Sequence, residues 1–369
     1  MSKNKPQQQT SDVVGPNAGL RRLQMSDIAR LAGVSTATVS RALNDSPLVT
    51  AETRARVKEL ARSLNYTINV GAKNLRLRRN KTVAVVVPYD SASRQSVSDP
   101  FFLSMLGSLA DALTEHGYDM LLSRVDARQL DAAAQFIDTG RAMGVILIGQ
   151  WRHHDQLNQM AARNLPIVIW GALLPQQLYC TIGCDNIAGG ALATEHLIAC
   201  GRRQIAFLGD TKLPEVHLRL EGYQRALARN NIRFNKRLCV SAPFLAEGAR
   251  NAIRELQQRN IEFDAVFACS DLLAMTVVST LQKAGRRVPE DVAVVGYDDI
   301  EMASHAHPPL TTVRQPIEAG GRALVAALLE FLEGGRPQPK TLATELIVRQ
   351  STPPVLSDNH DFTGARLAQ

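Results

Sequence analysis

From residue 25 the chain reads MSDIARLAGVSTATVSRALNDSP. Ile28, Ala29, Leu31 and Ala32 fall on the inner side of a short helix, and Ser26 stands where its N-cap belongs. Gly33 then permits a tight turn that a residue with a Cβ would strain. Ser35 can cap a second helix running to about Leu43, with Val39 and Leu43 inward and Thr36, Ala37, Ser40 and Arg41 outward. Asn44, Asp45 and Pro47 make the next loop, and Thr50 opens a third helix with Val57, Leu60, Ala61 and Leu64 on one stripe. Three such helices bury one small core. The pattern predicts a helix-turn-helix whose second helix reads the major groove.

After Thr82 the period changes. Short apolar runs alternate with amphipathic stretches: VAVVVP (83–88), YDMLLS (118–123), GVILIG (144–149) and PIVIW (166–170), then QIAFLG (204–209), DAVFAC (264–269) and VAVVGY (292–297). Helix-like segments such as FFLSMLGSLADALTEHG and NIAGGALATEHLIACG lie between them. That alternation predicts α/β architecture with parallel sheets covered on both faces. The strands exceed one small sheet and a break falls near Cys180–Asp185, so the expectation is two doubly wound subdomains.

Charge sharpens the division. The formal net charge is +7, yet residues 1–81 hold 15 Lys/Arg against 5 Asp/Glu, leaving 27 against 30 in the rest. A basic head on a near-neutral body is the footprint of a polyanion-binding module joined to an effector domain. Residues 1–24 are polar and predict a disordered tail without a secretory signal. With no apolar run of 18 residues, the expectation is a cytoplasmic protein that does not enter a membrane. Five cysteines (Cys180, Cys184, Cys200, Cys239, Cys269) form no CxxC pair and read as free thiols, with no metal set. GxSxG, P-loop, HExxH and GxGxxG patterns are absent, so nothing points to an enzyme. His305 and His307 read as an ordinary loop pair.

The stretches DIARLAGVSTATVSRALN and LNYTINVGAKNLRLRRN resemble the lac repressor and purine repressor family of bacterial transcriptional regulators, in order and spacing. Further along, DPFF (99–102), LRLEGYQRAL (218–227), SDLLA (270–274), VPEDVAVVGYDDIE (288–301) and PPLTTVRQP (308–316) extend the resemblance to residues 24–355. It implies a small all-α helix-turn-helix head, a hinge, and a periplasmic-binding-protein-like core whose chain crosses between subdomains three times. The expected boundaries are 25–68 for the head, 69–81 for the hinge and 82–355 for the effector and dimer domain. Within that domain, 82–183 with 315–344 form the first subdomain and 185–313 with 345–355 the second; 356–369 are a tail. The resemblance implies DNA contacts by Ser26, Ser35, Thr36, Ala37, Thr38, Ser40, Arg41 and Asn44, and by Tyr66, Asn69, Ala72, Lys73 and Leu75 around the hinge. There Leu75 is the expected minor-groove wedge and Ala72 the small residue close to the backbone. Gly71 departs from the β-branched residue or Ala of many members, which predicts a hinge helix more dependent on DNA for its order.

Ligands of open α/β sheets sit beyond the carboxyl ends of the strands. The candidates there are Asp99, Phe101, Arg124, Gln150, Trp151 and Trp170, followed by Arg219, Ser270, Asp271, Asp298 and Gln315. Arg219, Asp271, Asp298 and Gln315 match the family's recurring ligand positions. Arg219 can alternatively pair with Glu221, Asp271 can simply cap its helix, and either tryptophan can be core. Asp299 reads as structural. Tryptophan faces stack on sugar rings while carboxylates and Arg take hydroxyls, which favours a neutral sugar, a glucoside or oligosaccharide, over a purine. The expected protein is a homodimeric repressor of carbohydrate-utilisation genes on near-palindromic double-stranded operator DNA, released by a sugar and using no cofactor. A co-repressor-dependent regulator, an activator, or a sugar-binding protein without DNA function are the alternatives.

Overall fold

The computed structural model describes residues 24–43, 45–64, 80–90 and 95–355. The chain divides into two compact units at 79/80, described separately below.

In the first unit, α1 (Met25–Ala32), α2 (Thr36–Leu43) and α3 (Ala51–Ser63) close around Ile28, Ala29, Ala32, Val39, Ala42, Val49 and Val57. Leu31, expected inside, is 56% exposed, because α1 is only two turns long and turns that position away from α2 and α3. The cap of α1 is also one residue pair earlier than expected. Gln24 precedes the helix and its N–H donates to the Asp27 carboxylate at 2.9 Å, so Ser26 lies in the first turn. Gly33 is left-handed (φ 65°), as the turn requires. Ser35 accepts the Thr38 N–H at 3.1 Å and Thr50 that of Thr53 at 3.3 Å, each an N-cap contribution of about 1 kcal/mol.

The second unit holds two six-stranded sheets. The first sheet has the order β11-β5-β4-β3-β1-β2 and is wholly parallel: β1 (Thr82–Tyr89), β2 (Asp119–Asp126), β3 (Gly144–Ile148), β4 (Ile167–Trp170), β5 (Cys180–Cys184) and β11 (Lys340–Leu342). The second has the order β12-β10-β9-β8-β6-β7: β6 (Ile205–Leu208), β7 (Cys239–Val240), β8 (Ala265–Ala268), β9 (Ala293–Asp298), β10 (Thr311–Arg314) and β12 (Glu345–Ile347). In it β12 runs antiparallel to β10, where only parallel pairing was expected.

The segment read as a break near Cys180 is the buried strand β5. Its Thr and Gly interrupt the apolar signature, while covering helices hide both faces and erase any alternation. Strands β7, β10, β11 and β12 also escaped the pattern, being two to four residues long.

Period-two alternation decides the layers. Val83, Val85 and Val87 pack under α4 (Pro100–Glu115) and α12 (Ile317–Leu332), whereas Ala84 and Val86 face Phe136, Leu157 and Met160 of α5 (Gln135–Asp138) and α6 (His154–Ala162). In the second sheet Phe207, Phe267 and Val295 meet α7 (Asn186–Ala199) and α8 (Pro214–Arg229). Leu208, Val266 and Val294 meet α9 (Ala246–Gln258) and α10 (Asp271–Lys283), while α11 (Glu301–His305) follows β9. Strands β1–β5 and β11 belong to one sheet and β6–β10 and β12 to the other, so the chain crosses three times, after β5, after β10 and between β11 and β12. Among the described residues no helix is long and apolar enough to cross a membrane.

Helices α7 and α8 cross at two glycines. A Cβ on Gly222 would lie 2.1 Å from the Ile187 carbonyl oxygen, and one on Gly190 2.2 Å from that of Arg219. Both neighbours are backbone and cannot rotate away. Gly222→Ala is expected to destabilise the second unit by about 1–3 kcal/mol and lower its Tm by several degrees in a thermal unfolding scan. An unchanged Tm would show that the helices can separate freely.

Candidate functional site

On the head, Thr36, Ala37 and Arg41 of α2 are exposed, while Thr38 and Ser40 are half-buried. Ser35 and Thr38 also hydrogen-bond each other at 2.9 Å, so these hydroxyls stiffen the start of α2 as well as lining its outer face. Ser26 is exposed on α1. Around the same helix Lys58 holds Asp45 at 2.6 Å, and the Arg54 guanidinium donates to the Ser46 and Val49 carbonyls, bracing the loop before α3. Asn44, Tyr66, Asn69, Ala72, Lys73 and Leu75 lie outside the described residues.

In the second unit the carboxyl ends of both sheets open onto one cleft, partly open to solvent. Phe101, Trp151 and Trp170 line it from the first sheet, with the Phe101 and Trp170 rings 6.4 Å apart and tilted. Trp170 is almost fully buried at the end of β4, while Trp151 keeps solvent contact. Trp151 adopts φ 51°, a left-handed conformation that a bulky side chain takes only under constraint. Asp99 lines the same wall and caps α4, accepting the Phe101 N–H at 3.0 Å. Burial raises its carboxyl above the ordinary value.

From the second sheet come Arg219, Ser270 and Asp298, with Gln315 on the second crossover. Arg219 is fixed on three sides. Its Nε donates to the Asn186 Oδ1 at 2.9 Å, its Nη1 to the Cys269 carbonyl at 2.7 Å, and the guanidinium lies 3.6 Å from the Tyr297 ring centre. It does not pair with Glu221, which binds Arg225. Asp298 accepts from Gln315 Nε2 at 2.7 Å, a contact spanning the crossover, and its φ of 117° is strained. Burial pushes its carboxyl well above the usual range, against the pull of Arg219.

Three expected residues stand elsewhere. Asp271 is fully buried behind the cleft, accepting from Ile300 N at 2.9 Å and Thr312 Oγ1 at 2.5 Å, with its carboxyl raised by burial to about 7. It neither lines the cleft nor caps its helix; Ser270 does the capping, through the Leu273 N–H at 3.3 Å. The first residue inside a helix points its side chain back under the preceding strand ends, and here it ties β8, β9 and β10 together. Arg124 belongs to the edge strand β2, donates to the Gln95 carbonyl at 2.9 Å and stacks on Tyr89, so it supports the cleft loop rather than facing the cleft. Gln150 is buried and saturated by Ala172 and the Tyr179 hydroxyl.

Residues the sequence reading missed include Glu215, Asn186, Phe244 and Gln95. Glu215 follows Pro214 in the first turn of α8, where acidic residues are common for the helix dipole alone, so nothing marked it.

Comparison with known proteins agrees with this arrangement. Residues 24–69 match the family "Bacterial regulatory proteins, lacI family", and residues 194–352 the periplasmic binding protein-like domain. The HTH-type transcriptional regulator CelR of Thermobifida fusca is 36% identical over 342 residues, 90% of this chain and 98% of that protein. The ribose operon repressor of Haemophilus influenzae is 32% identical over 333 residues, covering 89% and 98%. Among solved structures, a CelR–cellobiose complex is 35% identical with a TM-score of 0.67, covering 89% of this chain and 100% of that one. A lac repressor dimer bound to operator and the anti-inducer ONPF is 26% identical with a TM-score of 0.78, covering 90% and 99%. With a helix-turn-helix head, a two-sheet cleft and relatives matching nearly end to end, the chain belongs to the lacI family of bacterial regulatory proteins.

Proposed function

We propose that this chain is a sequence-specific transcriptional repressor that binds near-palindromic operator DNA as a homodimer and is released when a sugar enters the cleft of its second unit. The observation that carries the sugar reading is the pairing of two tryptophans and Phe101 on one wall with Arg219, Asp298 and Gln315 on the other. A pyranose ring has an apolar face for indole and an equatorial rim of hydroxyls for charged and amide groups. The relative solved with cellobiose supports a sugar for this cleft as well.

One helix-turn-helix reads only a few base pairs, so useful affinity needs two heads on two half-sites. Thr36, Ala37 and Arg41 of α2 carry base choice, and Ser26, Ser35, Thr38, Ser40 and Asn44 support them. Tyr66, Asn69, Ala72 and Lys73 hold the backbone beside the minor groove, where Leu75 wedges a base step. The sugar contacts both subdomains and biases their closure, and residues 69–81 carry that bias to the heads. A coupling of about 1–3 kcal/mol, roughly 5–150-fold in affinity, suffices.

The deciding experiment is fluorescence anisotropy with DNA from upstream of the gene, repeated with cellobiose, ribose and purines. At least a tenfold loss of operator affinity with one sugar is expected. Tighter binding with a small molecule would instead make it a co-repressor system, and no specific binding under any condition would remove the regulator reading.

Arg41→Ala is expected to weaken operator binding by about 1–3 kcal/mol, roughly 5–150-fold, while non-specific DNA binding falls far less. Equal losses would take base reading away from Arg41. For Leu75→Ala, a smaller operator bend is expected in a circular-permutation gel assay; an unchanged angle would end the wedge role.

A further inference from the structure

The charges in the cleft do not balance. Asp99, Glu215 and Asp298 all line it, and among the described residues Arg219 is the one cation in that lining. Two of that guanidinium's nitrogens are already engaged by Asn186 and the Cys269 carbonyl. Nearby cations are committed elsewhere: Arg152 pairs with Asp210, and Arg124 with the Gln95 carbonyl. Against three acidic residues, that single guanidinium leaves the described lining with no positive excess to meet an incoming anion.

Among the described residues Glu215 is the one of these three carboxyls with no side-chain hydrogen-bond donor; Arg219 acts on it through its field alone. Asp99 is held by a helix N-terminus and Asp298 by Gln315 and the field of Arg219. Glu215 accepts only backbone N–H groups, its own and that of Gln150, which belongs to the first subdomain. Its carboxyl is raised chiefly by burial. A carboxylate has about four acceptor positions, so two remain for a ligand. It stands in the first turn of α8, one helical turn before Arg219, with some solvent access into the cleft.

From this placement we infer that Glu215 is a specificity-determining residue: it accepts hydroxyl hydrogens of an uncharged sugar and rejects sugars bearing a phosphate or carboxylate. A phosphate brings negative charge and few donors, and would have to shed its water beside an unpaired carboxylate. An uncharged sugar supplies the donors that Glu215 lacks, while Arg219 and Gln315 serve its acceptor oxygens. The inference rests on the sugar reading given above and narrows it.

The test is isothermal titration calorimetry of the full-length protein with matched probes: glucose, glucose 6-phosphate and glucuronate; cellobiose and cellobionate; ribose and ribose 5-phosphate. At least one uncharged member is expected to bind ten times or more tightly than its anionic counterparts. In Glu215→Gln, which keeps one acceptor oxygen, gains N–H donors and removes the charge, that gap is expected to shrink about tenfold, chiefly through tighter binding of the anion. Glu215→Ala should close the gap too, with weaker binding of the uncharged sugar. An anionic sugar that binds the unmodified protein as well as its parent overturns the inference and leaves the sugar reading intact. An unchanged gap in both folded variants overturns the role of Glu215 alone. If no sugar of either kind binds, the sugar reading fails and this inference with it.

Discussion

Arg219 is the charge around which the second unit is organised. It is 5% exposed, donates to two partners and lies on the Tyr297 ring. A guanidinium can be kept there because its planar fork meets an amide oxygen and a carbonyl while its weakly hydrated face stacks on an aromatic. The partners come from α7, the end of β8 and β9, so one side chain registers three elements. Gly190 lets α7 pass within backbone distance of the Arg219 carbonyl, and a larger residue would move the guanidinium out of place. Asp298 depends on it in turn, since its buried carboxylate has Arg219 as the opposing charge. Losing either partner of such a buried arrangement leaves the other uncompensated, which is far costlier than losing an exposed pair.

Binding capacity and strain coincide in this cleft. Trp151 and Asp298, one from each sheet, both hold positive φ. Residues in such conformations persist where packing on all sides over-determines them. Gln150, held beside Trp151 by three hydrogen bonds to Ala172 and Tyr179, provides that packing on the first sheet. On the second, Asp299 accepts from Arg314 and Arg349, both at 2.7 Å, and pins the strand end next to Asp298. The cleft walls are thereby stiff, and in the function proposed above a ligand bridging them acts on the relation between subdomains rather than on individual side chains.

The contrast between Asp271 and Asp298 shows how little residue type says about role. Asp298 ends β9 and Asp271 opens the helix that follows the neighbouring strand β8, and both are buried acids. One points under the sheet to a backbone N–H and a threonine, the other into the cleft toward an amide and a guanidinium. The difference arises from one peptide geometry: β9 ends with the positive φ of Asp298, while Asp271 sits inside a helix capped by its neighbour.

What the sequence by itself determined was whatever depends on local spacing and composition. The helix-turn-helix is readable because caps, a left-handed glycine and a 3.6-residue apolar period all act within a few residues of one another. The basic excess before residue 82 and the seven apolar runs are local properties too, and they sufficed for a DNA-binding head on an α/β body. Tertiary structure alone decided the rest. Strand β5 and the short strands β7 and β10–β12 are strands only because neighbours supply their hydrogen bonds, and their sequences carry little period of their own. Leu31 is exposed and Asp271 hidden because of what packs, or fails to pack, beside them. Glu215 became a candidate only when folding set it beside Gln150 in a cleft shared with Asp99, Asp298 and Arg219, since the balance of charge in a cleft is a sum over residues far apart in the chain.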